Sequence, residues 1–228
     1  MNIGMCFKRI ILVFLCCTSL YSNAVAQSQK VTFFLQTDFD QLYLNDSVKI
    51  SKCAIYLTNF KFYNQSELVF EDANQAHLVD LLDPSPIQFN IPVNLVYNRV
   101  VFNIGVDSNT NVAGILTGDL DPREGMYWAW QSGYINFKLE GILNAKVQQA
   151  FQYHIGGYAG KLNAIQTNAF EVYPNNKYTL SFNFMPMLQY ALAQKQFEIM
   201  SPQLKAVQLA KLLSENTTCT KVQNLSNE

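Results

Sequence analysis

The chain is poor in the residues that carry most protein chemistry. Its 228 residues include two histidines, His77 and His154, and two tryptophans, Trp128 and Trp130. No Cys-x-x-Cys or Cys-x-x-Cys-His run occurs, which argues against c-type haem attachment and thioredoxin-like redox chemistry. No His-x-His or His-Glu-x-x-His spacing marks a metal site. No P-loop, dinucleotide fingerprint or nucleophile elbow marks a familiar enzyme. Basic residues never cluster and the formal net charge is −1, so nucleic acid is not an expected partner.

Long apolar runs are equally scarce. The one candidate, Ile10 to Leu20, follows Lys8 and Arg9 and precedes Ala24-Val25-Ala26. A charged start, a short apolar stretch and a small-x-small end form a secretory signal peptide, too short and wrongly flanked for a membrane anchor. Leu15 is too bulky to precede a lipidated Cys16. The expectation is a signal peptide over 1–26, cleavage near Ala26, and a periplasmic or secreted protein that is not integral to the membrane. Losing Lys8 and Arg9 leaves the mature chain about three charges negative. Cys6, Cys16 and Cys17 leave with the signal. Cys53 and Cys219 remain as a candidate disulfide, with two unpaired thiols as the alternative.

What the chain has in quantity is β pattern. Val48 to Tyr63 is long and rich in aromatic and β-branched residues, and Ser66 to Glu71 reads as its hairpin partner. Strands are also expected over Val31 to Gln36, Gln88 to Ile91, Asn98 to Val106, Tyr127 to Gly141, Val147 to Ile155, Phe170 to Tyr173 and Tyr178 to Met185. In the last of these, Tyr178, Leu180, Phe182 and Phe184 share one face. Asp83-Pro84-Ser85-Pro86, Asp121-Pro122 and Tyr173-Pro174-Asn175-Asn176 are turn signals. Short strands at this spacing predict a mainly β fold, an antiparallel β-sandwich or Greek-key barrel. A short C-terminal helix is expected after Ser201-Pro202, read as N-cap and first helical residue, with Leu204, Val207, Ala210 and Leu213 on its apolar side. A second short helix is expected over Met187 to Gln194. The domain therefore runs over 27–214, and 215–228 reads as a polar tail.

The chemistry-bearing residues need placing on this frame. Ile135, Phe137 and Leu139 alternate with Asn136, Lys138 and Glu140. Carried backward, that register puts Met126, Trp128, Trp130 and Tyr134 on the polar face, unless a bulge at Gly133 reverses it. His154 shares the outward face of its strand with Gln152, and His77 sits near a strand end. Gly105 to Asn111 opens like a calcium loop but lacks the glycine and glutamate that the loop needs, since Val112 and Gly118 stand there. A turn held by Asx side chains is the better account, and Asp119 and Asp121 read the same way. A hydrolase would need two converging carboxylates, for which Glu140 and Asp119 have no distinguishing context.

One set of pieces goes further. Phe102-Asn103-Ile104-Gly105-Val106-Asp107 is followed by Gly118-Asp119-Leu120-Asp121-Pro122, then by Gly125-Met126-Tyr127-Trp128-Ala129-Trp130-Gln131-Ser132-Gly133-Tyr134, then by Lys138-Leu139-Glu140-Gly141. Weaker pieces are Tyr56-Leu57-Thr58-Asn59, His77-Leu78-Val79-Asp80 and Tyr153-His154-Ile155-Gly156. In this order, from about Val31 to Leu213, the chain resembles the MbnP-like copper-binding proteins, exported partners of di-haem cytochrome c peroxidase-like proteins of the MbnH type. The resemblance implies a mostly β fold, no catalysis, and copper, as Cu(I), bound by histidines and a tryptophan oxidised to kynurenine. Kynurenine carries an aromatic amine and a ketone that indole lacks, and imidazole and amine donors suit Cu(I). By the resemblance His77 and His154 are candidate ligands, Trp128 or Trp130 the candidate modified residue, and Met126 a candidate thioether donor. The rival reading is a metal-free binding or structural module that uses its aromatic face.

Overall fold

The computed structural model describes residues 27–39, 47–131, 133–143 and 148–223. The signal-peptide assignment lies outside them. Along the chain run β1 (Ser28–Thr37), β2 (Val48–Asn64), β3 (Glu67–Glu71), β4 (Ala76–Asp80), β5 (Ile87–Pro92) and β6 (Arg99–Ile104). Helix α1 (Ser108–Ala113) leads to β7 (Tyr127–Trp128), β8 (Gly133–Leu143), β9 (Gln149–Gly156), β10 (Gln166–Glu171) and β11 (Lys177–Phe182). Last come α2 (Met185–Ala193), β12 (Glu198–Ile199), α3 (Leu204–Glu215) and β13 (Thr217–Lys221).

Two sheets enclose the main core. The smaller has the order β13-β11-β1-β5, and the larger β10-β6-β2-β8-β9-β12, with β3 and β4 on β2 and β7 on β8. Phe33, Leu35, Phe89, Leu180 and Phe182 of the first face Ile55, Phe60, Phe102, Phe137 and Tyr153 of the second. The inward alternation of Tyr178, Leu180 and Phe182 is borne out. The fold is mainly β and sandwich-like, with the expected C-terminal helix. Two pairings are parallel rather than antiparallel, β1 with β11 and β12 with β9. The strands of each pair are far apart in sequence, so no hairpin turn dictates their sense.

Strand β2 organises the large sheet. Its first half pairs with β8 and its second half with β6, both on one side, while β4 and β3 line the other. The changeover falls at Tyr56, and a register shift follows within the β6 pairing between Thr58 and Lys61, where Asn59 takes φ 55°. An asparagine tolerates that left-handed geometry, and the resulting bulge re-aims the strand.

Four local expectations are corrected. The run over 127–141 is two strands folded back on each other, pairing Tyr127 with Tyr134 and Trp128 with Gly133. Helix α3 is capped by Gln203, not Ser201, and buries Ala206, Leu209, Ala210 and Leu213 while Leu204 is exposed. Pro202 is thereby free to pack beside Gly157 instead of opening the helix. The polar tail contains β13, which satisfies the edge of β11. Its Thr217 hydroxyl donates to the Leu213 carbonyl at 2.9 Å, tying the strand to the helix end. Cys53 and Cys219 are free thiols. Cys53 is fully buried on β2 of the large sheet, and Cys219 sits on edge strand β13 of the other, opposite Leu180. Burial pushes the Cys219 thiol up to about 12.

Candidate functional site

Part of the outer face of the large sheet is covered rather than solvated. Residues 105–126 fold over it and close a second apolar cluster around Tyr56, Val106, Leu120, Met126, Trp128, Tyr134 and Ile135. Two tyrosines rising from the sheet anchor the cover. The Tyr56 hydroxyl donates to the Asp119 carbonyl at 2.7 Å, and the Tyr134 hydroxyl donates to the Leu120 carbonyl at 2.9 Å. Gly105, at φ +110°, lets the cover start, because a Cβ there would lie 2.4 Å from the Asn136 carboxamide. The Asx turn is as expected: Asp107 Oδ1 accepts from the amides of Asn109 and Thr110 and starts α1. Although burial opposes it, these amides together with the Thr110 hydroxyl and Asn59 hold the Asp107 carboxyl below its usual range. Asp119 and Asp121 are turn residues too. Asp119 Oδ2 accepts from the Leu78 amide at 2.9 Å, and Asp121 caps the next turn while pairing with Arg123.

From that turn the chain enters the β7–β8 hairpin, where the tryptophans part company. Trp128 is 5% exposed and belongs to the second cluster, whereas Trp130, in the connection, is 67% exposed. Their ring centroids are 6.3 Å apart. Both lie away from the main core, as the alternation indicated, yet only Trp130 is wet. The pattern reverses between Ile135 and Phe137, where β8 and β9 shift register, and not at Gly133. Met126 is 1% exposed inside the cluster. The Trp128 ring lies over Gly156, where a Cβ would come within 2.7 Å of it. Its indole N–H is buried and has no acceptor among the described residues.

His154 is next to that contact. It precedes Gly156 by two residues on β9, which places it on the same face about 7 Å along the strand. Its Nε2 lies 2.6 Å from Glu140 Oε1 across the sheet. Burial pulls the His154 pKa down, the Glu140 hydrogen bond opposes this, and neighbouring Lys138 adds to the lowering. His77 has a different setting. Its Nε2 is 2.7 Å from Asp72 Oδ2, and its ring meets Phe60 and Phe89 edge-on at the main core.

A family model for MbnP matches residues 23–218. The chain belongs to the MbnP family. A solved relative, MbnP from Methylosinus trichosporium, is similar in fold at a TM-score of 0.50 and 14% identity, covering 72% of this chain and 78% of that one. No curated protein is significantly similar to the chain. Among the described residues, no helix is long and apolar enough to cross a membrane.

Within this family frame, the structure pairs Trp128 with Trp130 and sets the Trp128 ring over Gly156, two residues along β9 from His154, with Met126 in the cluster that holds Trp128. It does not bring His77 to them. The row Asp80–Ala54–Lys138–His154 crosses four neighbouring strands, and His77 lies three residues beyond Asp80. At ordinary strand spacing that separates the two histidines by about 17 Å. They also face opposite ways: His77 reaches the main core, while His154 shares the outer face with Lys138. The single site spanning both histidines is thus not formed, because β2 and β8 stand between their strands. Among the described residues, no three His, Cys, Asp or Glu side chains converge to hold a metal ion. Sequence reasoning missed the carboxylates that hold the histidines. Asp72 is five residues before His77 across a tight turn, and a loop-flanked acidic residue beside a strand histidine was the available signal. The Glu140–His154 contact depends on cross-strand register, which no local spacing encodes.

Proposed function

We propose that the chain is an exported, non-catalytic copper-binding protein whose donor set is completed by oxidation of Trp128 by a di-haem, MbnH-type partner. The observation that carries this is that the Trp128 ring lies over Gly156, on the face of β9 that also carries His154 two residues away. As the side chains stand, that face offers one imidazole and one carboxylate, His154 and Glu140, and an indole supplies no lone pair. The set therefore fits copper only with a further donor, which kynurenine at position 128 would provide as an amine or ketone. Burial favours the neutral form of His154, the form a metal requires, although the Glu140 hydrogen bond opposes it. Glu140 fixes the ring, as carboxylates behind ligating histidines do. Trp130, exposed and 6.3 Å from Trp128, is the point at which an external oxidant would meet the pair. His77, held by Asp72, has a structural role in this reading.

The test is co-expression with a di-haem peroxidase-like partner, followed by intact mass, peptide mapping and copper analysis. The expected result is kynurenine at position 128, stoichiometric copper, copper loss in His154→Ala and copper retention in His77→Ala. Unmodified tryptophans with no bound copper would instead support a metal-free module that uses its aromatic face.

A further inference from the structure

The face around His154 carries a cation of its own. Lys138 stands directly opposite His154 on the neighbouring strand β8, and Glu140 follows two residues along β8 on the same outer face. Side chains opposite one another on paired antiparallel strands start about 5 Å apart at Cβ. The Lys138 ammonium is also tied down. Its Nζ donates to the Gly125 carbonyl, on the segment that leads into β7 and Trp128. Burial strips part of its hydration and pulls its pKa down, so water screens this charge less than that of a surface lysine. Lys138 acts against positive charge on the imidazole, while the hydrogen-bonded Glu140 favours it. Glu198 adds a more distant negative charge from β12, beyond Gln152, at an exposed position where water screens it.

We propose that Lys138 is a specificity-determining residue of the His154 face, whose positive charge selects a monovalent cation, Cu(I), over divalent ions such as Zn(II). The inference rests on the copper reading above and adds the residue that sets which ionic charge the site accepts. An ammonium has no lone pair, so Lys138 is not a ligand. It acts through space, and the Coulomb energy between it and a bound ion is proportional to the ion's charge. A divalent ion therefore suffers twice the repulsion of a monovalent one. The donor types do not make this distinction by themselves, since imidazole and carboxylate also suit Zn(II). The contact with Gly125 gives Lys138 a structural role as well. A loosened Gly125 segment would change the affinity for both ions by one common factor, whereas a lost charge changes them unequally.

The experiment uses protein co-expressed with a di-haem peroxidase-like partner, titrated with Cu(I) and separately with Zn(II) against chromophoric chelators. Lys138→Met should tighten both, with a gain of about tenfold for Cu(I) accompanied by about a hundredfold for Zn(II), so that the preference for Cu(I) falls about tenfold. Lys138→Arg keeps the charge and should keep the wild-type preference. Lys138→Gln is neutral but retains a donor for the Gly125 carbonyl. It should match Lys138→Met, and it serves in its place if that variant does not fold. Equal factors for the two ions in the neutral variants, or a larger gain for Cu(I), overturn the inference and leave the copper reading standing. No bound metal in any form of the protein overturns both.

Discussion

At position 156 any side chain would collide with the Trp128 ring at 2.7 Å and the Tyr134 carbonyl at 2.6 Å. Gly156→Ala should therefore destabilise the fold by about 1–3 kcal/mol, as overpacking does. It should also lift the indole, so the loss would be read as a lower urea midpoint together with red-shifted tryptophan fluorescence. The neighbouring His154 makes a pH prediction. Its folded pKa lies below the unfolded value of 6.5, so the unfolded chain binds the proton more tightly. Stability is then full above pH 6.5 and falls as pH drops from there through the folded pKa. Urea midpoints measured across that window should decline in the wild type and flatten in His154→Gln. At this scale the sequence was partly legible. Phe151, Tyr153 and Ile155 point His154 outward by simple alternation, and so it stands. The need for glycine at 156 was not legible, because the ring that forbids a Cβ arrives from a strand 28 residues earlier.

Among the elements, the start of α2 shows how distant parts are joined. Phe184 and Met185 donate their amides to the Asp38 carboxylate, both at 3.0 Å, at the end of β1. Asp38→Ala should cost about 1 kcal/mol, the ordinary value of such a cap, measured by chemical denaturation. Burial pushes this carboxyl up despite the amides that stabilise its charge. Strand β5, with clean alternation, was visible within a residue of each end, whereas the run from Tyr178 to Met185 overran β11 by three residues, to the start of α2. The β7–β8 hairpin was not visible, because Tyr127 to Gly141 reads as one β-prone run in which Gly133 was read as a possible bulge, although Ser132-Gly133 is also a turn signal. Strand β13 escaped for the opposite reason: a threonine-rich pentapeptide has no apolar face until β11 supplies one. The apolar stripe of α3 was read with Leu204 and Val207 in place of Ala206 and Leu209, since the helix begins later than Ser201-Pro202 suggests.

Over the whole molecule, the mainly β class follows from composition and alternation, and the family from motif order. The arrangement of the site does not, since it depends on which strands intervene. His77→Ala and His154→Ala, each on its own face of the sheet and about 17 Å apart, should have additive effects on stability when combined. The double variant's urea midpoint checks this, and a coupling above about 0.5 kcal/mol would mean that the two positions communicate. Deleting residues 217–228 should remove the partner of β11 and lower the thermal midpoint, followed by circular dichroism.

The small sheet places strands from both ends of the chain side by side, with β11 held between β1 and β13. Strand β1 finds β5 early in synthesis, but its other edge must wait about 140 residues for Lys177 to Phe182, and β11 in turn waits for the final segment. Such long-range pairing is slow to form. The sandwich is therefore a clasp that shuts last at its C-terminal end. A nascent chain keeps one edge of β1 unpaired, and open to other chains, until Lys177 to Phe182 is available, and then exposes an edge of β11 until β13 follows.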